Sequence, residues 1–307
     1  MVKLGNTGIK ISEIGLGIMQ WGDIKLPASE NSLSTDVRDV FVTSIDRGID
    51  FIDTAEIYGN GKSEIHLSKC LRELSNKVVI ATKFMPFPWR LSKGELRAAL
   101  KKSLARLGVD HVDLYQIHWP LPPISIKTWM ESMADVVADG LVRVVGVSNY
   151  STSQMQYAYD TLSKFNISLA SNQIKYNLLD RRPERNGLLD LSKQLDIRII
   201  AYSPLAKGIL TGKYTPEHLP SDYRAWRYNK GYLTRIDPLI STLHEIGETH
   251  GIKSIASVAL NWLVYKGAVP IPGARNKLQA EENASALGWL LSAAEIDKLD
   301  RISDQVN

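Results

Sequence analysis

Eight short apolar runs recur along the chain, with amphipathic stretches between them. The runs are Ile14–Gly17, Gly48–Asp53, Val78–Lys83, Val112–His118, Val142–Val147, Leu169–Ile174, Arg198–Tyr202 and Val269–Ile271. They are rich in Val and Ile, and several are continuously apolar, as strands covered on both faces must be. Between them the period lengthens. Glu95–Leu107 sets Leu96, Ala99, Leu100, Leu104 and Leu107 at i, i+3, i+4 spacing, which predicts a helix with one buried stripe. Val37–Arg47, Ser63–Leu74, Trp129–Asp139, Ser153–Phe165 and Gly187–Leu195 are read as helices too, as are His244–His250, Ile255–Tyr265, Asn276–Leu287 and Ser292–Ser303.

Strands that each lead through at least one helix to the next strand predict an α/β fold, and its simplest closed form is a (β/α)8 TIM barrel. The stretch Lys3–Ser12 reads as two short strands around Asn6-Thr7-Gly8, a β-hairpin closing the bottom of that barrel. No linker or low-complexity stretch interrupts the pattern, so residues 1–307 are expected to form a single domain. The longest irregular segment runs from Pro204 to about Arg235, beyond ordinary loop length, which marks it as functional.

Barrel proteins place their working side chains at the C-terminal ends of the strands. Three successive runs end in ionisable groups: Asp53 with Tyr58 just beyond it, then Lys83, then His118. Each alone has an ordinary structural reading, as a turn cap, a rim aromatic, a solvated charge or a satisfied polar group. Together they form a set able to protonate a carbonyl oxygen at neutral pH, and their convergence favours chemistry.

Composition narrows the alternatives. The chain is 44% hydrophobic and 23% charged, an ordinary globular balance with a net charge of +4. That mild excess is not the concentrated basic stripe of a nucleic-acid binder, and a pocket for phosphate accounts for it. The single cysteine, Cys70, permits no internal disulfide and reads as a buried structural thiol, which fits a reducing, cytoplasmic setting. The N-terminus lacks an apolar leader segment, and no stretch reaches the ~18 apolar residues of a membrane span. Two nucleotide-site motifs are incomplete. Gly15-Leu-Gly17 carries Gln20 where a dinucleotide fingerprint needs glycine, and Gly61-Lys62-Ser63 carries Glu56 where a phosphate loop needs one. His244, Glu245 and His250 miss metalloprotease spacing because position 248 is Glu, so no metal site is expected.

The motifs together resemble those of the aldo/keto reductase superfamily. They are Gly48-Ile-Asp-Phe-Ile-Asp-Thr-Ala-Glu-Ile-Tyr-Gly59, Asp113-Leu-Tyr-Gln-Ile-His-Trp119, Gly146-Val-Ser-Asn149, Asn172-Gln173, Tyr202-Ser-Pro-Leu-Ala206 with Gly208-Ile-Leu-Thr-Gly-Lys213, and Ile271-Pro-Gly-Ala-Arg275 through Glu282-Asn283. The resemblance covers nearly the whole chain. It implies a barrel that binds NADP(H) and reduces aldehydes and ketones, with a small-molecule carbonyl compound as its partner. It implies Tyr58 as general acid, Lys83 lowering the phenol pKa, Asp53 fixing Lys83, and His118 orienting the substrate oxygen.

The same resemblance assigns the cofactor contacts. Ser148, Asn149 and Gln173 are implied to meet the nicotinamide carboxamide, and Tyr202 to stack on its ring, with Ile18, Met19 and Asp53 nearby. Ser203, Pro204, Leu205, Ala206, Lys207 and Lys213 are implied at the pyrophosphate. Gly273, Arg275, Gln279, Glu282 and Asn283 are implied at the adenosine end, Arg275 facing the 2′-phosphate. Gly273 stands where better-known branches carry lysine, which places the chain nearer the bacterial and channel-subunit-like branches. Trp21, Trp89 and Trp119 follow the first, third and fourth strands, and Trp21 and Trp119 are expected to touch substrate. The end of the chain soon after its last helix leads us to expect an open mouth. An alternative function is an NADP(H)-binding, redox-sensing regulatory subunit with little turnover, since channel-associated members of the superfamily keep the same four residues.

Overall fold

The chain opens with the antiparallel hairpin β1 (Val2–Lys3) and β2 (Lys10–Ile11), paired Val2 to Ile11 and Lys3 to Lys10. Each apolar run then supplies one strand of a parallel sheet in the computed structural model, which describes residues 1–25, 33–73, 78–222, 224–251 and 253–306. These strands are β3 (Leu16–Gly17), β4 (Phe51–Asp53), β5 (Val79–Phe84), β6 (Val112–Ile117), β7 (Val142–Ser148), β8 (Leu169–Lys175), β9 (Arg198–Tyr202) and β10 (Val269–Pro270). Neighbours in the sheet are neighbours in sequence, from β3 to β10.

The two ends of the sheet meet and close the (β/α)8 barrel. The backbone N–H of Gly15 donates to the Pro270 carbonyl at 2.9 Å, and that of Gly17 to the Pro272 carbonyl at 3.0 Å. A Cβ on Gly17 would lie 2.7 Å from the Ile271 carbonyl oxygen, too close for any side chain. The glycine pair that begins like a nucleotide fingerprint is thus the seam of the barrel.

Helices α1 (Thr35–Asp46), α2 (Lys62–Glu73), α3 (Gly94–Leu107), α4 (Ile126–Ala138) and α5 (Thr152–Ser163) cover the first half of the barrel. The second half is covered by α6 (Arg182–Arg185), α7 (Leu188–Gln194), α8 (Lys230–Thr249), α9 (Ile255–Tyr265), α10 (Lys277–Ala284) and α11 (Ala293–Val306). Leu74, the last residue of one expected helix, lies outside the described residues. Helix α8 is the main departure from expectation. It begins where the Asn229 side chain accepts the Tyr232 N–H, well before His244, and it carries Pro238 in its interior. The irregular segment expected to reach about Arg235 therefore ends at Asn229, and the helix runs on through a proline that normally marks a helix boundary.

The core has two parts. One lies between the sheet and the helices and includes Phe41, Leu100, Trp129 and Trp262. The other fills the barrel: Leu4, Ile9 and Ile11 of the hairpin region meet Phe51, Ala81, Leu114, Ala170, Ile200 and Val269. The Asn6 N–H donates to the Asp196 carbonyl just before β9, which pins the hairpin to the bottom. Side chains two residues apart on a strand share a face. Two positions beyond Phe51, Ala81, Leu114 and Ile200 stand Asp53, Lys83, Gln116 and Tyr202. A polar layer therefore sits directly above the apolar plug.

Cys70 is buried on α2, and burial pushes its thiol up to about 12. Glu245 pairs with Lys298, and His250 with Glu295. No described helix is long and apolar enough to cross a membrane.

Candidate active site

The C-terminal end of β4 delivers Asp53, the end of β5 delivers Lys83, and the residue after β6 is His118. Tyr58 lies on the turn between β4 and α2. The Lys83 ammonium, fully buried, donates to Asp53 Oδ1, to the Thr54 carbonyl at 2.8 Å and to the Tyr58 hydroxyl at 3.4 Å. The Tyr58 and His118 rings meet edge to face, with centroids 5.7 Å apart. All four sequence-predicted groups are thus gathered at one mouth of the barrel.

Asp53 is buried but fully satisfied. Its second oxygen accepts from Gln173 Nε2 at 2.8 Å and Gln116 Nε2 at 3.2 Å. Gln116 escaped the sequence reading, although a signal was present. It is the one amide in the run Val112–Ile117, and a buried amide requires partners. Glu56 and Arg90 were missed as well. Arg90 grips Glu56 with two N–H···O contacts, at 2.5 and 3.0 Å, and also donates to the Met85 carbonyl. Glu56 accepts the Met85 N–H at 2.8 Å. This clamp ties the turn carrying Tyr58 to the loop that follows Lys83, and Arg90 stacks beneath it on Phe84.

The electrostatics differ from expectation in one respect. The Tyr58 phenol is held above its ordinary range, because burial outweighs the nearby Lys83 charge and the Asp53 carboxylate adds to the upward push. Burial also disfavours the Lys83 ammonium, but Asp53 and Tyr58 together outweigh it and hold Lys83 above its usual value. Burial, aided by the Lys83 charge, drives His118 down to about 3. The site at neutral pH is therefore a neutral phenol, an ammonium paired with a carboxylate, and a neutral imidazole. The Nδ1 of His118 is buried with no hydrogen-bond partner among the described residues.

That last shift has a consequence for stability. An unfolded histidine takes up a proton below about pH 6.5, whereas folded His118 does so only near pH 3. Between those values the unfolded state holds the extra proton, so the stability tied to neutral His118 is complete above pH 6.5 and is lost as pH falls toward 3. The melting temperature of the wild-type chain should fall more steeply on acidification than that of His118→Asn. Equal slopes would show that the imidazole is not buried in its neutral form.

The expected cofactor residues are placed unequally. Ser148 donates its hydroxyl to the Gln173 carbonyl. Asn149, at φ +62, donates to the His118 carbonyl and to Ser148 Oγ, and its Oδ1 accepts the Tyr202 hydroxyl at 2.9 Å. The amide hydrogens of Asn149 and Gln173 are thus spent within the protein, and their unspent capacity is acceptor oxygen, which suits the NH2 of a carboxamide. Tyr202 is half-buried beside them. After it, Ser203, Ala206 and Lys207 take left-handed backbone angles, φ +50, +48 and +59. The Ala206 and Gly208 N–H groups close this turn on the Ser203 and Leu205 carbonyls, at 3.0 and 2.9 Å. Pro204 and Ala206 are buried, Leu205 is half-buried, and Lys213 is exposed over the Tyr214 ring.

At the far end, Gln20 donates to the Ala274 carbonyl, and Asn283 to the Gly273 carbonyl at 3.2 Å. A Cβ on Gly273 would strike the Gln20 side chain. Gln279 accepts the Arg275 N–H, while Arg275 itself is exposed and Glu282 half-buried. Met19 is exposed, but the Ile18 side chain is sealed in the core and its N–H is bonded to the Asp53 carbonyl. Trp119 is exposed at the mouth, whereas Trp21 packs into the core at 1% exposure, which leaves it almost no surface for a substrate. Trp89 is exposed and stacks on Phe87.

A phenol–ammonium–carboxylate–imidazole cluster thus stands at the C-terminal mouth of an eight-stranded barrel, the end at which barrel enzymes carry their active sites. The aldo/keto reductase family model matches residues 13–304, so the chain belongs to the aldo/keto reductase family and is an oxidoreductase. The chloroplastic pyridoxal reductase of Arabidopsis thaliana is 36% identical, over 95% of this chain and 82% of that protein. A probable voltage-gated potassium channel subunit beta of Oryza sativa subsp. japonica is 28% identical, over 97% of this chain and 95% of its own length. The crystal structure of an aldo-keto reductase from Klebsiella pneumoniae in complex with NADPH superposes with a TM-score of 0.77 at 29% identity, covering 99% of this chain and 96% of that one.

Proposed function

We propose that this protein is an NADP(H)-dependent reductase of small aldehydes and ketones. The observation that carries the reading is the Lys83 ammonium set between Asp53 and the Tyr58 hydroxyl. Because that hydroxyl accepts from Lys83, its own proton is directed outward as a hydrogen-bond donor. Tyr58 gives this proton to the carbonyl oxygen as negative charge develops there, and Lys83 stabilises the phenolate left behind. Neutral His118, beside the Tyr58 ring, hydrogen-bonds the same oxygen and orients it. Asp53, held by Gln116 and Gln173, fixes Lys83.

NADPH, when bound, supplies the hydride that no side chain can. The acceptor oxygens of Asn149 and Gln173, the half-exposed Tyr202 ring, the exposed Lys213 ammonium and the exposed Arg275 guanidinium suit the successive parts of that molecule. The Klebsiella relative solved with NADPH supports the same choice. Trp119 is left as the aromatic wall for substrate.

Arg275→Ala should weaken NADPH binding much more than NADH binding, since a guanidinium matches a 2′-phosphate. An equal loss for both cofactors would defeat that assignment. The rice relative keeps a second reading in view, a regulatory subunit that binds NADPH and barely turns over. NADPH oxidation against pyridoxal, nitrobenzaldehyde and methylglyoxal separates the two. The reductase reading expects steady turnover of at least one, and tight NADPH binding with no turnover of any would support the regulatory reading.

A further inference from the structure

Tyr58 sits on a turn with little of its own to hold it. The backbone bonds that close residues 55–63 run from 3.1 to 3.3 Å, and Gly59, Asn60 and Gly61 all take left-handed angles, φ +58, +56 and +88. The contact this turn must keep is long as well, 3.4 Å from the Lys83 ammonium to the Tyr58 hydroxyl. Well-formed hydrogen bonds lie at about 2.7–3.2 Å, so a small drift of the turn would break it.

Two carboxylates tie the turn to the segment that carries Lys83. Glu56, just before Tyr58, accepts the N–H of Met85, just after Lys83. Glu64, beyond Tyr58 on the first turn of α2, accepts the hydroxyl of Thr82, next to Lys83 on β5, at 2.7 Å. The ties thus bracket Tyr58 on one segment and Lys83 on the other. Thr82 and Lys83 are neighbours and point to opposite faces of the sheet, so Glu64 holds β5 from the helix side while Lys83 faces the barrel. Each carboxylate is fixed in turn by an arginine. Arg90 takes both oxygens of Glu56, and Arg106 Nε donates to Glu64 at 2.6 Å. A Cβ on Gly61 would stand 2.5 Å from Arg106 Cδ, so glycine there lets the arginine reach past the turn. The phosphate-loop look-alike at Gly61-Lys62-Ser63 is therefore part of this brace. Glu64 is fully buried, and the Glu56 side chain is nearly so. Ion pairs taken out of water add little to stability, because desolvation offsets their attraction. A two-pronged arginine grip does fix direction and distance.

We propose that Glu56 and Arg90, backed by Glu64 and Arg106, are positioning residues for the acid. They hold the Tyr58 hydroxyl within reach of Lys83, and they set the rate of the chemical step rather than stability or cofactor affinity. The proposal rests on the reductase reading with Tyr58 as proton donor. Proton transfer and stabilisation of the phenolate both depend on that distance, and a displacement of about 1 Å at a reacting group costs on the order of 10²-fold in rate. The residues expected to hold NADPH lie mainly after β7 to β10, on other loops, and keep their places.

The test combines Glu56→Gln with Arg90→Met, in the wild-type chain and in a Tyr58→Phe background. The glutamine keeps an acceptor for the Met85 N–H, and the methionine leaves no charge unpaired. Single-turnover NADPH oxidation should slow about 10- to 100-fold, with NADPH affinity, read by fluorescence titration, within about twofold of wild type. The melting temperature should stay close to that of wild type. In Tyr58→Phe, whose hydroxyl is already gone, the same two changes should slow the residual rate no further, because groups that act as one unit are not additive. A full additional loss in that background would mean that the pair shapes the site in general, and would overturn the proposal. A wild-type rate with the pair replaced, or a drop in NADPH affinity that matches the drop in rate, would overturn it as well. Should the paired replacement fail to fold, Arg90→Lys keeps the charge and gives up the two-pronged grip, and its rate is read in both backgrounds against the same criteria. Wild-type turnover by Tyr58→Phe alone would remove the acid reading, and with it the ground of this proposal, before either residue of the pair is changed.

Discussion

Tyr58→Phe should lower the turnover of aldehydes about 10²–10⁴-fold, the usual contribution of a general acid. NADPH affinity should stay as in wild type. The change removes one oxygen and keeps the ring that packs edge to face on His118, so the mouth of the barrel retains its shape. The oxygen removed is the acceptor of the 3.4 Å contact from Lys83. Stopped-flow measurement of NADPH oxidation, with cofactor binding read separately, isolates the effect. Turnover within a few-fold of wild type would take Tyr58 out of the acid role. Burial holds the phenol above its ordinary range, so at neutral pH it carries the proton that the proposed donor role requires.

Lys83→Met should be costly twice over. Activity should collapse because the phenolate formed by Tyr58 loses its neighbouring cation. Stability should fall by about 3–5 kcal/mol, because removing one partner of a buried pair strands the other charge. Asp53 is 2% exposed, and after the change it would keep only the two amide donors, Gln116 and Gln173. Adding Asp53→Asn should recover much of the stability and none of the activity. Urea denaturation of the single and double variants gives the coupling directly. A Lys83→Met chain as stable as wild type would mean that the pair is not buried as described.

Much of this was legible in the amino-acid order, for a physical reason. Strands covered on both faces must be apolar, so a polar residue at the end of such a run marks the layer where the barrel opens. Asp53, Lys83 and His118 stand out for that reason. Other features depend on sums or contacts that local pattern does not carry. The rise of the Tyr58 pKa is the outcome of burial against two opposed charges, and its sign requires the three-dimensional surroundings. Trp21 follows a strand as Trp119 does, yet one ring packs inward and the other stands in solvent, a difference set by the neighbouring loops. The start of α8 was hidden by Pro238. The clamp between Glu56 and Arg90 joins loops distant in sequence, so no spacing announces it.

The central claim is that this site passes a hydride to a carbonyl carbon while Tyr58 protonates its oxygen. The most direct measurement supplies NADPH deuterated at C4, as each of its two epimers, with an aldehyde that the wild-type protein consumes. The account predicts deuterium on the carbinol carbon from one epimer only, formed about 10²–10⁴-fold more slowly with Tyr58→Phe. An alcohol that carries no deuterium from either epimer would contradict it.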